Sequence, residues 1–102
     1  MIKAVFFDVD GTLVSFKTHQ VPQSTLEAIK ELQAKGIKVF VATGRHPSIL
    51  SEGNNVHEID FDGFVTLNGQ YCFTKDREII YENNICKEDI VFLLEFMKEN
   101  KF

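Results

Sequence analysis

The sequence predicts an α/β fold, and three early stretches carry the prediction. An apolar run, Ala4 to Phe7, ends in Asp8-Val9-Asp10-Gly11-Thr12. A helical pattern follows over residues 24–35, and a second apolar run, Ile37 to Ala42, ends in Thr43-Gly44-Arg45. Strand, helix and strand in this order form a crossover unit, which makes the two strands parallel and brings both of their tips to one edge of the sheet.

The first run does not alternate, which suits a strand covered on both faces. Asp8 and Asp10 stand two apart where it ends, so in extended geometry they point to the same side and two like charges converge. A magnesium ion and a phosphate would relieve that repulsion. Magnesium favours hard oxygen ligands, and Gly11 lets main-chain N–H groups approach an anion closely. An Asp-x-Asp-Gly after a strand is also an ordinary turn sequence in which Asp8 serves as a cap.

Residues 13–22 are a mixed polar connection without periodicity, and His19 within it is expected to be a solvated side chain. The helix is punctuated at both ends. Ser24 with Glu27 forms a capping-box pattern, and Gly36 sits where a helix C-terminus needs a left-handed residue. Leu26, Ile29 and Leu32 make its inner stripe, while Glu27, Lys30, Glu31 and Lys35 face water. The second strand, 37–42, is apolar apart from Lys38. The crossover sets Thr43 beside Asp8, where a hydroxyl and a flexible backbone N–H suit phosphate oxygens. Thr43 is equally placed to cap a short helix from His46 to about Glu52.

Residues 52–55 read as a loop, and Val56 to Ile59 is too mixed to assign. Phe64 to Leu67 is a third strand, whose closing Asn68-Gly69 puts another polar tip on the same edge and doubles as a hairpin turn toward Phe73. Tyr71–Thr74 and Glu78–Tyr81 form a further hairpin around Lys75-Asp76-Arg77. Asn83-Asn84 marks a boundary. The helical pattern over 87–98 places Ile90, Leu93, Leu94 and Met97 on one stripe, and Val91, Phe92 and Phe96 widen it beyond what one small sheet covers.

Composition narrows the function. A chain of 102 residues with 44% hydrophobic content and ten Phe is one domain at most, with ample material for a core. A net charge of -4, with Lys and Arg scattered, leaves no basic stripe for nucleic acid. Cys72 and Cys86 lack metal-ligand spacing and read as reduced thiols. Lys3 and the Asp pair interrupt any N-terminal leader, and no segment is long enough to span a bilayer, so the cytoplasm is the expected compartment.

FFDVDGTLV, Phe6 to Val14, resembles the first signature of the haloacid dehalogenase-like (HAD) phosphohydrolases, and VATGR, Val41 to Arg45, resembles their second at matching order and spacing. TLNGQ, Thr66 to Gln70, is similar to the sugar-phosphatase-like Cof-type branch. The resemblance implies a three-layer Rossmann-like core with a parallel sheet, incomplete here, over residues 1–82. At 83–102 it implies a linker and the first helix of a truncated cap domain.

By the same resemblance, magnesium is the cofactor, held by Asp8 and Asp10. Asp8 is the nucleophile that forms an aspartyl-phosphate, and Asp10 protonates the leaving group and then activates water. Thr12, Thr43 and Gly44 bind phosphate, with Arg45 and Asn68 near a substrate that is a small phosphorylated metabolite. A second carboxyl helps only when a poor leaving group needs a proton, so Asp10 favours phosphoryl transfer over carbon–halogen cleavage.

The family's later lysine and later acidic pair have no counterpart through Phe102, so the 102 residues alone are expected to be inactive. Without two later strands, the Lys3–Phe7 strand becomes an unpaired apolar edge, open together with the C-terminal helix to pairing in a homodimer. The alternative is a non-catalytic chain that binds phosphate or magnesium, or pairs with another chain.

Overall fold

The computed structural model describes residues 1–101, so the last residue of the expected cap segment, Phe102, lies outside the described residues. The elements are β1 (Ala4–Phe7), α1 (Gln23–Ala34), β2 (Lys38–Ala42), β3 (Gly63–Thr66), β4 (Tyr71–Thr74), β5 (Ile79–Glu82) and α2 (Lys87–Glu99). One sheet holds all five strands in the order β1-β2-β3-β4-β5. β1, β2 and β3 run parallel, with Phe7 opposite Val41 and Val41 opposite Phe64. β4 and β5 return antiparallel, so the sheet is mixed rather than parallel throughout. The links at 67–70 and 75–78 are too short for a crossover and allow only hairpins.

The core lies on one face. Val39 and Val41 of β2 are fully buried, with Leu26 and Ile29 of α1 against them, and Val9, Leu13, Leu50, Val56 and Phe61 fill the remainder. The opposite face carries Phe6 stacked on Phe40, with ring centroids 4.7 Å apart, yet Phe6 stays 57% exposed. The expectation of a first strand covered on both faces therefore fails. Ala4 and Phe6 are exposed because α1 lies on the other side and α2 packs on neither, being exposed along its whole length. Two of the three expected layers are present, in keeping with an incomplete α/β core. Among the described residues β1 is one edge of the sheet.

Local corrections have local causes. α1 starts at Gln23 behind Pro22, and no side chain caps it. The Ser24–Glu27 capping box does not form, because Ser24 is already inside the helix. Pro22 fixes the entry with φ at -61°, and its carbonyl accepts the N–H groups of Thr25 and Leu26. The other end follows expectation: Gly36 has φ +81°, its N–H donates to Gln33 O, and Ile37 N–H donates to Leu32 O, a Schellman pair.

The helix expected over 46–52 is a single 3-10 turn, Pro47–Ile49, and Val56–Glu58 is another. Asn55 ties this region to the entrance of α1, since its Oδ1 accepts Val21 N–H at 2.7 Å and its Nδ2 donates to Val21 O and Glu58 Oε2. Among the described residues no helix is long and apolar enough to cross a membrane.

Candidate active site

The three parallel strands end on one edge and deliver Asp8, Thr43 and the loop at Asn68 together. Thr43 N–H donates to Val65 O at 2.8 Å, Asn68 N–H to Thr43 O at 3.1 Å, and Leu67 N–H to Arg45 O at 3.1 Å. These bonds lash the loop after β2 to the loop after β3. They also hold Leu67 and Asn68 at φ 51° and 56°, conformations that cost an L-residue such as leucine roughly 1–2 kcal/mol.

A pocket of about 250 Å³ opens there, lined by Asp8, Thr43, Gly44, Val65, Asn68 and Gly69. Gly44 packs closely on Asn68: a Cβ at that position would lie 3.0 Å from Asn68 Oδ1, so the amide would have to give way by a few tenths of an ångström. Thr43 is buried, and its Oγ1 accepts the main-chain N–H of Arg45 at 3.0 Å. It does not cap the following turn. His46 does, with Nδ1 accepting Ser48 N–H at 3.1 Å. The Thr43 hydroxyl thus keeps its own proton to donate.

Before the pocket, the signature loop closes on itself. Val9 O accepts N–H groups from Thr12 and Val14, and Gly11 at φ +82° makes the reversal possible. The main-chain N–H of Thr12 is thereby engaged, and Thr12 lines a neighbouring depression with Gly11, Phe16, Pro22 and Thr25 instead of the Asp8 pocket.

Arg45 makes the densest set of contacts. Its Nε donates to Asp10 Oδ2 at 2.9 Å and its Nη2 to Asp10 Oδ1 at 2.7 Å. Its Nη1 donates to the carbonyls of Ile49, Leu50 and Glu52 at 2.7, 3.4 and 3.3 Å. The hydrogen bonds from Arg45 draw the Asp10 carboxyl below the usual carboxylate range; partial burial pushes the other way and loses, and the guanidinium charge adds to the lowering. The same pairing raises Arg45. The site residues therefore form two groups: Asp8, Thr43, Gly44 and Asn68 share the pocket, while Asp10 and Arg45 grip each other beside it.

Asp8 presents a carboxylate at the pocket, whereas both oxygens of Asp10 accept from Arg45. No cluster of three or more His, Cys, Asp or Glu occurs among the described residues. Such a donor set fits magnesium held by one or two carboxylates with water and phosphate oxygens, and does not fit a closed protein cage. Sequence reasoning did not find Val65 and Gly69 as lining residues. Gly69 was visible only as half of a turn pair, and Val65 only as a strand residue.

The sequence pattern of the haloacid dehalogenase-like hydrolases matches residues 5–102. Among curated relatives, YkrA of Bacillus subtilis is 33% identical over 97% of this chain and 37% of its own length. The HMP-PP phosphatase of Klebsiella pneumoniae is 34% identical over 86% of this chain and 32% of its own. Among solved structures, BT1666 of Bacteroides thetaiotaomicron, described with the phosphatases of the HAD superfamily, superposes with a TM-score of 0.82 and 40% identity over 100% of this chain and 37% of that one. The subclass IIB sugar phosphatase BT4131 gives a TM-score of 0.68 and 43% identity over 96% and 38%. The chain spans about a third of the length of these curated relatives.

Proposed function

The chain belongs to the haloacid dehalogenase-like hydrolases, in their Cof-type branch, and on that premise we propose that its site serves hydrolysis of phosphate monoesters of small metabolites through an aspartyl-phosphate. The observation that carries this reading is the convergence of the Asp8 carboxylate with Thr43, Gly44 and Asn68 in one pocket. Asp8 attacks phosphorus, the bond from phosphorus to the leaving oxygen breaks, and that oxygen takes a proton from Asp10. Water then attacks the phosphorus of the acyl phosphate, Asp10 takes its proton, and Asp8 is regenerated as phosphate leaves.

The Thr43 hydroxyl and the Gly44 N–H donate to phosphate oxygens and Asn68 closes the rim, while Thr12 lies in the neighbouring depression and takes no part. Asp8 and Asp10 would hold magnesium, which would supply positive charge at the phosphate.

Arg45 sets a condition on this scheme. Held with a lowered pKa, Asp10 is a base at neutral pH, suited to the second step but lacking the proton required in the first. A phosphate dianion competing for the guanidinium removes the hold that lowers Asp10, and its own negative charge beside the carboxyl is what favours a proton there. Arg45 thus remains a substrate-side residue although it faces Asp10.

The pocket lining holds one carboxylate and no lysine or arginine, so the lining itself offers the phosphoryl oxygens only neutral donors and leaves their charge to magnesium and to Arg45 beside the pocket. We therefore expect the 102 residues alone to bind phosphate, or to hold it on Asp8, without turnover. The expected compartment is the cytoplasm, and the net charge of -4 argues against nucleic acid.

Magnesium-dependent cleavage of an aryl phosphate, with Asp8→Asn as control, tests the reading. Acid-labile phosphate on Asp8, or phosphate-dependent amide shifts at Thr43, Gly44 and Asn68, without sustained phenolate release is the expected result. Sustained release would overturn the inactivity. Neither labelling nor shifts in a folded chain would overturn the site itself.

A second reading is favoured by exposed apolar surface. Phe6 on the edge strand and Leu94 on α2 are 57% and 61% exposed, which suits pairing with another copy of the chain through the sheet edge or the C-terminal helix.

A further inference from the structure

A second cavity, again about 250 Å³, lies on the core face between the segment 47–61 and strands β3 and β4, and shares no lining residue with the Asp8 pocket. Its floor is aromatic. Phe64 and Phe73 stack with centroids 4.9 Å apart at 16°, and Phe61 meets Phe64 edge-on at 5.8 Å. Leu50, Val56 and Ile59 complete the apolar walls.

The charge at its rim is of one sign. Arg77 lines the cavity with its guanidinium carbon 5.4 Å from the Phe73 ring centroid. The turn that carries it, at φ 67°, is fixed by Arg77 N–H donating to Thr74 O at 2.9 Å. His57 and Ser51 also line the cavity, and no carboxylate does. The neighbouring cation, Lys75, is paired with Asp60, whereas Arg77 has no carboxylate partner among the described residues. An arginine fork left with free donors over the Phe73 ring matches a planar anion that can also stack.

We infer that this cavity binds a small aromatic carboxylate, with its ring against Phe64 and Phe73 and its carboxylate against Arg77. Size selects the class. An apolar cavity of about 150 Å³ holds benzene, and pockets for drug-sized ligands begin at about 300 Å³. A volume of 250 Å³ therefore admits one substituted ring and little more.

The site has a route to the Asp8 edge. Leu50, a wall residue, gives its carbonyl to Arg45 Nη1, as does Ile49 beside it, and the other side of the same guanidinium holds Asp10. A ligand that moves Leu50 changes the grip on Asp10.

Amide-resolved NMR titration of the 102-residue chain with benzoate, hexanoate and benzyl alcohol tests this. Benzoate is expected to shift Leu50, Ser51, Phe73 and Arg77 saturably in the millimolar range, with the Arg45 Nε–H signal following and Asn68 unaffected. Arg77→Gln is expected to weaken benzoate about tenfold and leave benzyl alcohol unchanged, while Arg77→Lys retains most of the binding. The inference is overturned if benzoate shifts Asn68 and Gly44 instead, if hexanoate binds as well as benzoate, or if Arg77→Gln, with a dispersed spectrum, binds benzoate as the wild type does. Absence of any saturable shift in the folded chain also overturns it.

Discussion

Arg45 holds Asp10 with two parallel hydrogen bonds, 2.9 and 2.7 Å long, and with the remaining nitrogen it holds the carbonyls of Ile49, Leu50 and Glu52. One side chain thus joins the tip of the first strand to the loop beyond the second. The acid of the proposed chemistry and the wall of the aromatic cavity are attached to the same guanidinium.

Replacing Arg45 by lysine keeps the charge and loses the fork. The pair is partly solvated, with side chains 23% and 44% exposed, so the expected loss is about 1 kcal/mol, toward the upper end for exposed pairs because the geometry is bidentate. Urea unfolding of Arg45→Lys, Asp10→Asn and the double variant checks it. Effects that add fully would show that the fork contributes no coupling energy.

The pairing also predicts an acid dependence. The folded-state pKa of Asp10 lies below the ordinary value of 3.8, so the unfolded chain takes up the proton first as pH falls. Stability from the pair is therefore fully present above pH 3.8 and is lost as pH drops through the lower folded-state value. The gap in urea midpoint between wild type and Asp10→Asn should hold from pH 7 to 5 and close in strong acid. A gap unchanged at pH 3 and below would contradict the assignment.

Much of this was legible in the residues, and the reasons are particular. Asp8, Thr43 and Asn68 were placed on one edge because apolar runs, a helix between the first two and Gly36 leave few ways to thread the chain. The Arg45–Asp10 grip follows from register: Phe7 opposite Val41 is an offset of 34, which carries Asp10 to the neighbourhood of Gly44. That offset is set by loop lengths and packing, and no local pattern announces it. The bare face of β1 was misread because an apolar run reports only that burial is affordable, not that a partner is present. The capping box failed because Pro22, one residue upstream of the helix, fixes the start more firmly than Ser24 can.

Two glycines separate contact from conformation. At Gly36, φ is +81° and nothing lies within 4 Å of an added Cβ, so Gly36→Ala should cost about 1 kcal/mol from backbone strain alone. At Gly63 an added Cβ would sit 2.7 Å from the Phe40 ring and 3.3 Å from Phe73 O. Gly63→Ala must displace Phe40 from its stack on Phe6, and roughly 1–3 kcal/mol is expected. Combining Gly63→Ala with Phe40→Leu should recover part of that loss in thermal unfolding, whereas Phe40→Leu should not relieve Gly36→Ala.

The exposed stripe of α2 predicts self-association with a defined polarity. Ile90, Leu93, Leu94 and Met97 are 43%, 48%, 61% and 44% exposed at helical spacing. Glu88 and Asp89 occupy the first turn with Lys87, and Lys98 the last with Glu99, so the first turn carries the net negative charge. Two copies packed antiparallel bring each acidic first turn beside the partner's Lys98, while parallel packing sets acid against acid. Sedimentation should therefore show a dimer that weakens with salt and is abolished by Leu94→Glu, with Phe6→Lys leaving it intact. The opposite pattern, loss with Phe6→Lys and persistence with Leu94→Glu, would move the interface to the sheet edge, where main-chain pairing rather than charge sets the polarity.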